Sequence, residues 1–152
     1  MAKLHFEITT PERTVFKDEV DQVTLPTVMG EITILPHHIP LVSQLVPGEL
    51  MVKKGSETTH MAVSGGFIEV RQGEQVVVLA DTAERAEEID VAKAEEARER
   101  AHKLIGKELK DSEKFAQASA LLERSMARIK VAKRARHRGH HGVGSEGTLP
   151  DA

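Results

Sequence analysis

The sequence predicts an α+β fold, an N-terminal antiparallel β-sandwich followed by a C-terminal antiparallel α-helical hairpin. Two observations carry that reading. Pro11, Pro26, Pro36, Pro40 and Pro47 fall in the first third of the 152 residues, and Gly30, Gly48, Gly55, Gly65, Gly66 and Gly73 punctuate the same half at turn-like intervals. From residue 82 to 138, by contrast, there is one glycine, Gly106, and no proline. The first half is built of short elements and the second of long uninterrupted ones.

Between the punctuation marks apolar residues alternate with polar ones: Leu4, Phe6 and Ile8; Val23 and Leu25; Ile32 and Ile34; Leu50 and Val52; Met61 and Val63; Ile68 and Val70; then the run Val76 to Leu79. Alternation with period two is the signature of half-buried strands, and regular strands with turns predict a sandwich or barrel. After Asp81 the period lengthens. Ile89, Ala92, Ala97, Ala101, Leu104, Ile105 and Leu109 fall mostly at three- and four-residue steps, as do Phe115, Ala118, Leu121, Leu122, Met126, Ile129 and Ala132. Two helices meeting near Gly106 follow, the second with Asp111 or Ser112 as N-cap. Each is about 20 residues and about 30 Å long. Alanine-rich seams let the helices approach closely but bury little apolar area, so the hairpin is expected to be held weakly. The domains divide at 1–84 (sandwich), 85–136 (hairpin) and 137–152, a His- and Gly-rich tail expected to be disordered.

Composition excludes several functions. The formal charge is −3 and cysteine is absent, so there is no disulfide framework, thiolate nucleophile or cysteine-ligated zinc. No apolar run is long enough to span a membrane, and the chain is expected to be soluble and cytoplasmic. Ser64 in "VSGGF" lacks the glycine at 62 that a nucleophile elbow needs and is read as a tight turn between strands. No phosphate-binding loop motif occurs. His37 and His38, adjacent on an extended chain, point to opposite sides and do not make a metal site. His137, His140 and His141 lie in the aperiodic tail, which offers no preorganised geometry. The cluster Lys133, Arg134, Arg136 and Arg138 has no aromatic residue interleaved, and the chain has no Trp or Tyr, so nucleic acid is not an expected partner. No catalytic residues and no metal are predicted.

Three segments carry a family resemblance: "GEITILPHHIPLV" (30 to 42), "MAVSGGFIEVR" (61 to 71) and "LADTAERAEEIDVAKAEEARERA" (79 to 101). In this order and spacing they resemble the epsilon subunit of bacterial F-type ATP synthase, along roughly residues 3 to 135. The tail after residue 136 departs from the family pattern. The resemblance implies a non-catalytic subunit of the central stalk, peripheral to the cytoplasmic face of the bacterial membrane. Its implied partners are the gamma subunit, the c-ring and the alpha and beta subunits. It further implies a hairpin that either folds against the sandwich or extends toward the catalytic subunits to oppose ATP hydrolysis. Glu31 and His38 are then candidates for c-ring contact. Arg124, Arg128, Lys130, Lys133 and Arg134 are candidates for an acidic segment of a beta subunit.

Some bacterial members hold ATP on the folded hairpin through a motif of the form Ile/Leu-Asp-x-x-Arg-Ala. This chain reads Ile89, Asp90, Val91, Ala92, Lys93, Ala94, with lysine in place of the arginine, which keeps the charge but loses the planar fork. Asp90 and Lys93 stand one turn apart, Arg100, Arg124 and Arg128 match later arginines, and Glu84 matches an acidic residue ahead of the helix. The resemblance thus implies ATP as a regulatory ligand, with no cofactor required, at Glu84, Asp90, Lys93, Ala94, Arg100, Arg124 and Arg128. Arg124 and Arg128, four residues apart, would form a two-pronged cationic edge. Salt bridges along a solvated helix pair explain the same charges without a ligand. A free-standing nucleotide sensor or an adaptor protein are the alternatives from other classes.

Overall fold

The computed structural model describes residues 1–107 and 111–140. Eight strands come first: β1 (Leu4–Thr9), β2 (Thr14–Val20), β3 (Gln22–Thr27), β4 (Gly30–Ile34), β5 (Leu41–Gln44), β6 (Gly48–Lys54), β7 (Glu57–Arg71) and β8 (Gln75–Arg85). A single 3-10 turn (Ala86–Glu88) leads into α1 (Val91–Lys107) and α2 (Ser112–His140). The strand order is β2-β1-β8-β7-β6-β3-β4, with β5 on β7, so β2 and β4 close the two ends of the path.

The alternation read from sequence is what fills the core. Leu4, Phe6 and Ile8 of β1, Val23 and Leu25 of β3, Leu50 and Val52 of β6, and Val76 and Val78 of β8 are all buried in one cluster. At roughly 1.5–3 kcal/mol for each fully buried aliphatic or aromatic side chain, this cluster dominates the stability of the sandwich.

Several details depart from the sequence reading. β1 and β8 pair in parallel, His5 to Thr9 beside Gln75 to Leu79, so the sheet is mixed and not purely antiparallel. The chain between them is long enough to return in either direction, and no tight turn dictates the hand of the pair. The residues around Met61–Val63 and Ile68–Val70 belong to one strand, β7. Ser64 is therefore not at a turn between strands: it is buried inside β7, its hydroxyl against that of Thr82 on β8. The bend falls at Gly65 and Gly66, with φ of 58° and 108°. A Cβ on Gly66 would run into the Leu79 carbonyl, so this position needs glycine for space as well as for conformation.

Beyond the sandwich, Ile89 precedes α1 instead of belonging to its stripe, because β8 continues to Arg85. Leu109 lies outside the described residues. α2 extends past the expected limit at 136 and reaches His140, so residues 137–140 are helical and not part of a disordered tail. The physical reason is tertiary: Arg134 and Arg138 near this end find acceptors on the sandwich. The rest of the expected tail, including His141, lies outside the described residues.

Polar ties close the β2–β3 corner onto the β6–β7 hairpin. Asp21 accepts from Lys3 and from the Gly55 amide at 2.6 Å, and both contacts hold its carboxyl below the ordinary value of 3.8. Lys54 does the same for Asp18 at 2.6 Å. Because the folded values are lowered, the stabilisation is present above the ordinary value and is lost as pH falls through the lower, folded one. Asp21→Asn is therefore expected to move the acid-unfolding midpoint, followed by circular dichroism, to higher pH. Leu50→Ala, which opens a cavity in the core, is expected to cost about 2–5 kcal/mol in urea unfolding.

Candidate functional site

The hairpin lies on the outer face of β6 and β7. Its apolar contact there is small: Ala62, Ala86, Ile89, Val131 and Ala132 are buried, with Val91 and Ala135 packed against them. Within the hairpin, Ala94, Ala97 and Ala101 of α1 are buried, as are Ala118, Ser125 and Ile129 of α2. Ser125 returns its hydroxyl to the Leu121 carbonyl at 2.7 Å, which satisfies it in the seam.

The residues expected to hold a nucleotide are distributed unequally over this arrangement. Glu84, near the end of β8, and Arg128, on α2, form a two-pronged pair, with Nε 2.5 Å from Oε2 and Nη2 3.0 Å from Oε1. Their side chains are 29% and 17% exposed, so the pair is partly withdrawn from solvent. Arg128 thus spends its fork on Glu84, and the free cationic edge expected from Arg124 and Arg128 is reduced to Arg124, which is half-buried. Asp90 is the N-cap of α1: its Oδ1 accepts the Lys93 amide at 3.1 Å. The Lys93 and Arg100 side chains are exposed, and Ala94 is fully buried in the seam. Among the described residues, neither Lys93, Arg100 nor Arg124 makes an ion pair within 4.0 Å. Asp111 caps α2 in the way Asp90 caps α1, accepting the amides of Glu113 and Lys114 at 3.1 and 3.2 Å.

The residues expected to face an acidic partner also divide. Lys130 and Lys133 are exposed, whereas Arg134 is turned onto the sandwich and donates to Glu49 at 3.0 Å. Glu49 in turn lies 2.7 Å from Nδ1 of His60, and Arg138 reaches the same histidine. Sequence reasoning missed Glu49 and His60. In "GELMVKK" and "ETTHMAV" they occupy polar positions of the alternation and read as solvated outer-face residues; only the helix above them buries them.

Of the two residues proposed for ring contact, Glu31 is exposed on β4 and His38 is half-buried in the loop that follows, its Nδ1 2.7 Å from the Ile39 carbonyl. The neighbouring His37 is on a left-handed turn, φ 67°, not an extended chain. Its amide donates to Glu74 Oε2 at 2.8 Å and its Nδ1 lies 3.1 Å from Oε1. Glu74, itself at φ 64° in the β7–β8 turn, is a third residue the sequence reading missed. Among the described residues, no three potential metal ligands converge, and no helix is long and apolar enough to cross a membrane.

A β-sandwich carrying a long helical hairpin, pinned across its outer face by a carboxylate and a guanidinium, defines the class of protein. The family model for the ATP synthase delta/epsilon chain β-sandwich domain matches residues 3–86, and that for its long α-helix domain matches residues 87–133. The ATP synthase epsilon chain of Dehalococcoides mccartyi is 51% identical over 136 residues, covering 90% of this chain and 96% of that one. The epsilon chain of Halalkalibacterium halodurans is 44% identical over 134 residues, 88% of this chain and all (100%) of the other. Among solved structures, a chain of the Euglena gracilis mitochondrial ATP synthase (OSCP, F1 and c-ring) superposes with a TM-score of 0.72 at 27% identity, over 90% of this chain and 83% of that one. The chain belongs to the ATP synthase delta/epsilon family, among its epsilon chains.

Because so little apolar area holds the hairpin, the Glu84–Arg128 fork should weigh heavily in its docking. Arg128→Ala is expected to weaken docking by about 1–3 kcal/mol, the net worth of hydrogen bonds to charged groups. Faster limited proteolysis of α2, with the sandwich left intact, is the measurement, and a double-mutant cycle with Glu84→Gln isolates the pair.

Proposed function

We propose that this chain is a non-catalytic subunit of the rotating central stalk of a bacterial F-type, proton-translocating ATP synthase. In this reading the sandwich binds the gamma subunit and sits on the c-ring, at the cytoplasmic face of the membrane. The hairpin regulates, moving between a docked form and an extended form that meets the alpha and beta subunits and opposes ATP hydrolysis. Family membership supports the assembly. The observation that carries the regulatory part is the alanine-rich, sparsely apolar contact between hairpin and sandwich, supplemented by ion pairs. A contact of that kind is separable at a modest free-energy cost.

The surface suits multiple partners. Val42, Phe67 and Leu79 are 69%, 55% and 57% exposed, and they cluster on neighbouring strands, Phe67 directly opposite Leu79. An apolar row on an open sheet face is what a shaft subunit would cover. Around the β3–β4 turn and the loop after β4, Met29, Leu35 and Ile39 are 87%, 51% and 74% exposed, close in sequence to Glu31 and His38, and these loops are the proposed ring contact. In the extended hairpin Arg124, Lys130 and Lys133 would meet an acidic partner directly, and Arg128 and Arg134 would do so after leaving Glu84 and Glu49.

ATP is proposed as a ligand of the docked hairpin, with its phosphates taken by Arg124, Arg128, Arg100 and Lys93 and with Glu84, Asp90 and Ala94 at the margin. At a hundred times its dissociation constant a ligand stabilises the form it prefers by about 2.7 kcal/mol, enough to bias a weakly packed hairpin. Since Arg128 already bonds Glu84, the nucleotide has to share or displace that carboxylate.

Calorimetric titration with ATP is expected to give saturable binding that Arg124→Ala abolishes, together with slower proteolysis of α2 when ATP is present. Equal proteolysis with and without millimolar-range ATP would remove the nucleotide from the reading. The tagged chain is expected to co-purify with a membrane ATPase; recovery alone, or with many unrelated proteins, would overturn the stalk assignment.

A further inference from the structure

We propose that Glu49, His60, Arg134 and Arg138 form a pH-sensitive latch, holding the C-terminal end of α2 on the sandwich while His60 is neutral and releasing it when His60 is protonated. The proposal deepens the reading that the hairpin moves, by naming what governs one end of it.

The register places the parts. Met51 of β6 pairs with His60 of β7, and Glu49 pairs with Ala62, so the Glu49 and His60 side chains share the outer face that carries the hairpin. The helix covers them: the Glu49 side chain is 7% exposed and that of His60 12%. Arg134 and Arg138, four residues apart on α2, come down on this pair from above.

Donor and acceptor chemistry then decides which ring nitrogen carries the proton in the docked form. A carboxylate only accepts, so His60 Nδ1, 2.7 Å from Glu49 Oε1, carries a proton. In the neutral ring Nε2 is then an acceptor. A guanidinium only donates, and Arg138 Nη1 lies against the ring, meeting Nε2 and standing 2.9 Å from Nδ1, so Nε2 is the one ring nitrogen that can accept from it. Arg134 Nη1 completes the cluster at 3.0 Å from Glu49 Oε2, while Arg138 Nη1 stands 4.0 Å from Oε1.

Protonation of Nε2 leaves Arg138 with no ring acceptor and sets an imidazolium against a guanidinium. The other groups facing His60 do not relieve this. Lys53 from β6 adds another cation across the cleft, and Gln22 and Thr24 of β3 and Thr58 of β7 are neutral. A third positive charge therefore joins two guanidiniums around a single carboxylate. The asymmetry lies in which contact survives. The imidazolium strengthens the His60–Glu49 bond, which lies wholly within the sandwich, and Glu49 then has less to offer Arg134. The strands stay paired, and only α2 loses its hold. Histidine is the side chain type whose unperturbed charge change lies between pH 5 and 8, and that is the window over which the latch is tested.

The absence of cysteine makes the test direct, since labels can be placed at will. Nitroxides on Glu57→Cys and Arg136→Cys of the full chain, without nucleotide, report the distance from β7 to the end of α2 by pulsed electron resonance. One docked population is expected at about pH 7.5, with the undocked-to-docked ratio rising by up to about tenfold per pH unit through the histidine range, as one linked proton requires. His60→Gln and Arg138→Ala should each remove the pH dependence, and Glu49→Gln should undock the helix end at both extremes. Circular dichroism confirms that each variant keeps its helices and strands. Release on acidification that persists in His60→Gln overturns the latch, as does a wild-type helix docked at both pH values while Glu49→Gln opens. A helix docked at both pH values and also in Glu49→Gln overturns the latch and the mobile hairpin together.

Discussion

Strand β7 is the constraint on which the rest of the molecule depends. Its first seven residues, 57–63, pair with β6, residues 67–70 pair with β5, and β8 accompanies most of its length. One strand can serve both neighbours because it bends at two glycines with positive φ. The inward face changes phase across that bend: Met61 and Val63 point to the core before it, Ile68 and Val70 after it. The core therefore closes around a single continuous strand. The face of β7 that turns outward near its start, with His60 and Ala62, is the floor on which the hairpin rests. An error in the bend would misplace the core and the hairpin floor together.

The two domains are stabilised by different physics. The sandwich relies on a large cluster of Leu, Ile, Val, Met and Phe, which salt and pH affect little. The hairpin rests on a contact dominated by alanine, with a fork from Arg128 to Glu84 at its middle and the Glu49 cluster toward its end. Charged contacts near a surface respond to ionic strength, to protons and to competing anions. The contacts of the hairpin are thus of the kind that the solution modulates near neutrality, whereas the sandwich core is not, its own charged ties at Asp18 and Asp21 being lost only in acid.

Much of this was legible in the sequence. Alternation identified the inward residues of β1, β3, β6 and β8, and the loss of glycine and proline after residue 82 announced the helices. β2 was not legible, because Lys17, Asp18 and Glu19 occupy its centre and an edge strand buries little. β7 read as two strands because its phase changes at the glycines. The candidate site was legible in its residue types but not in its pairings. Glu84 and Arg128 stand 44 residues apart in the chain, and no local pattern indicates that they neutralise each other. Asp90 looked like a ligand by family likeness, yet its position directly before α1 is also that of an N-cap, and its carboxylate bonds the Lys93 amide. Glu49 and His60 are polar residues at polar positions, buried by a helix from the far end of the chain.

The mixed sheet has a consequence for the life of the chain before it is assembled. Its path ends on β2 and β4, each with a strand partner on one side only, although β2 is also tied to β6 through Asp18 and Lys54. The three consecutive charges of β2 make that border a poor template for another copy, since a copy docked there would strip water from them. The same charges that hid β2 in the sequence act as gatekeepers against aggregation. The other border is guarded more lightly, by the short length of β4 and the single charge of Glu31.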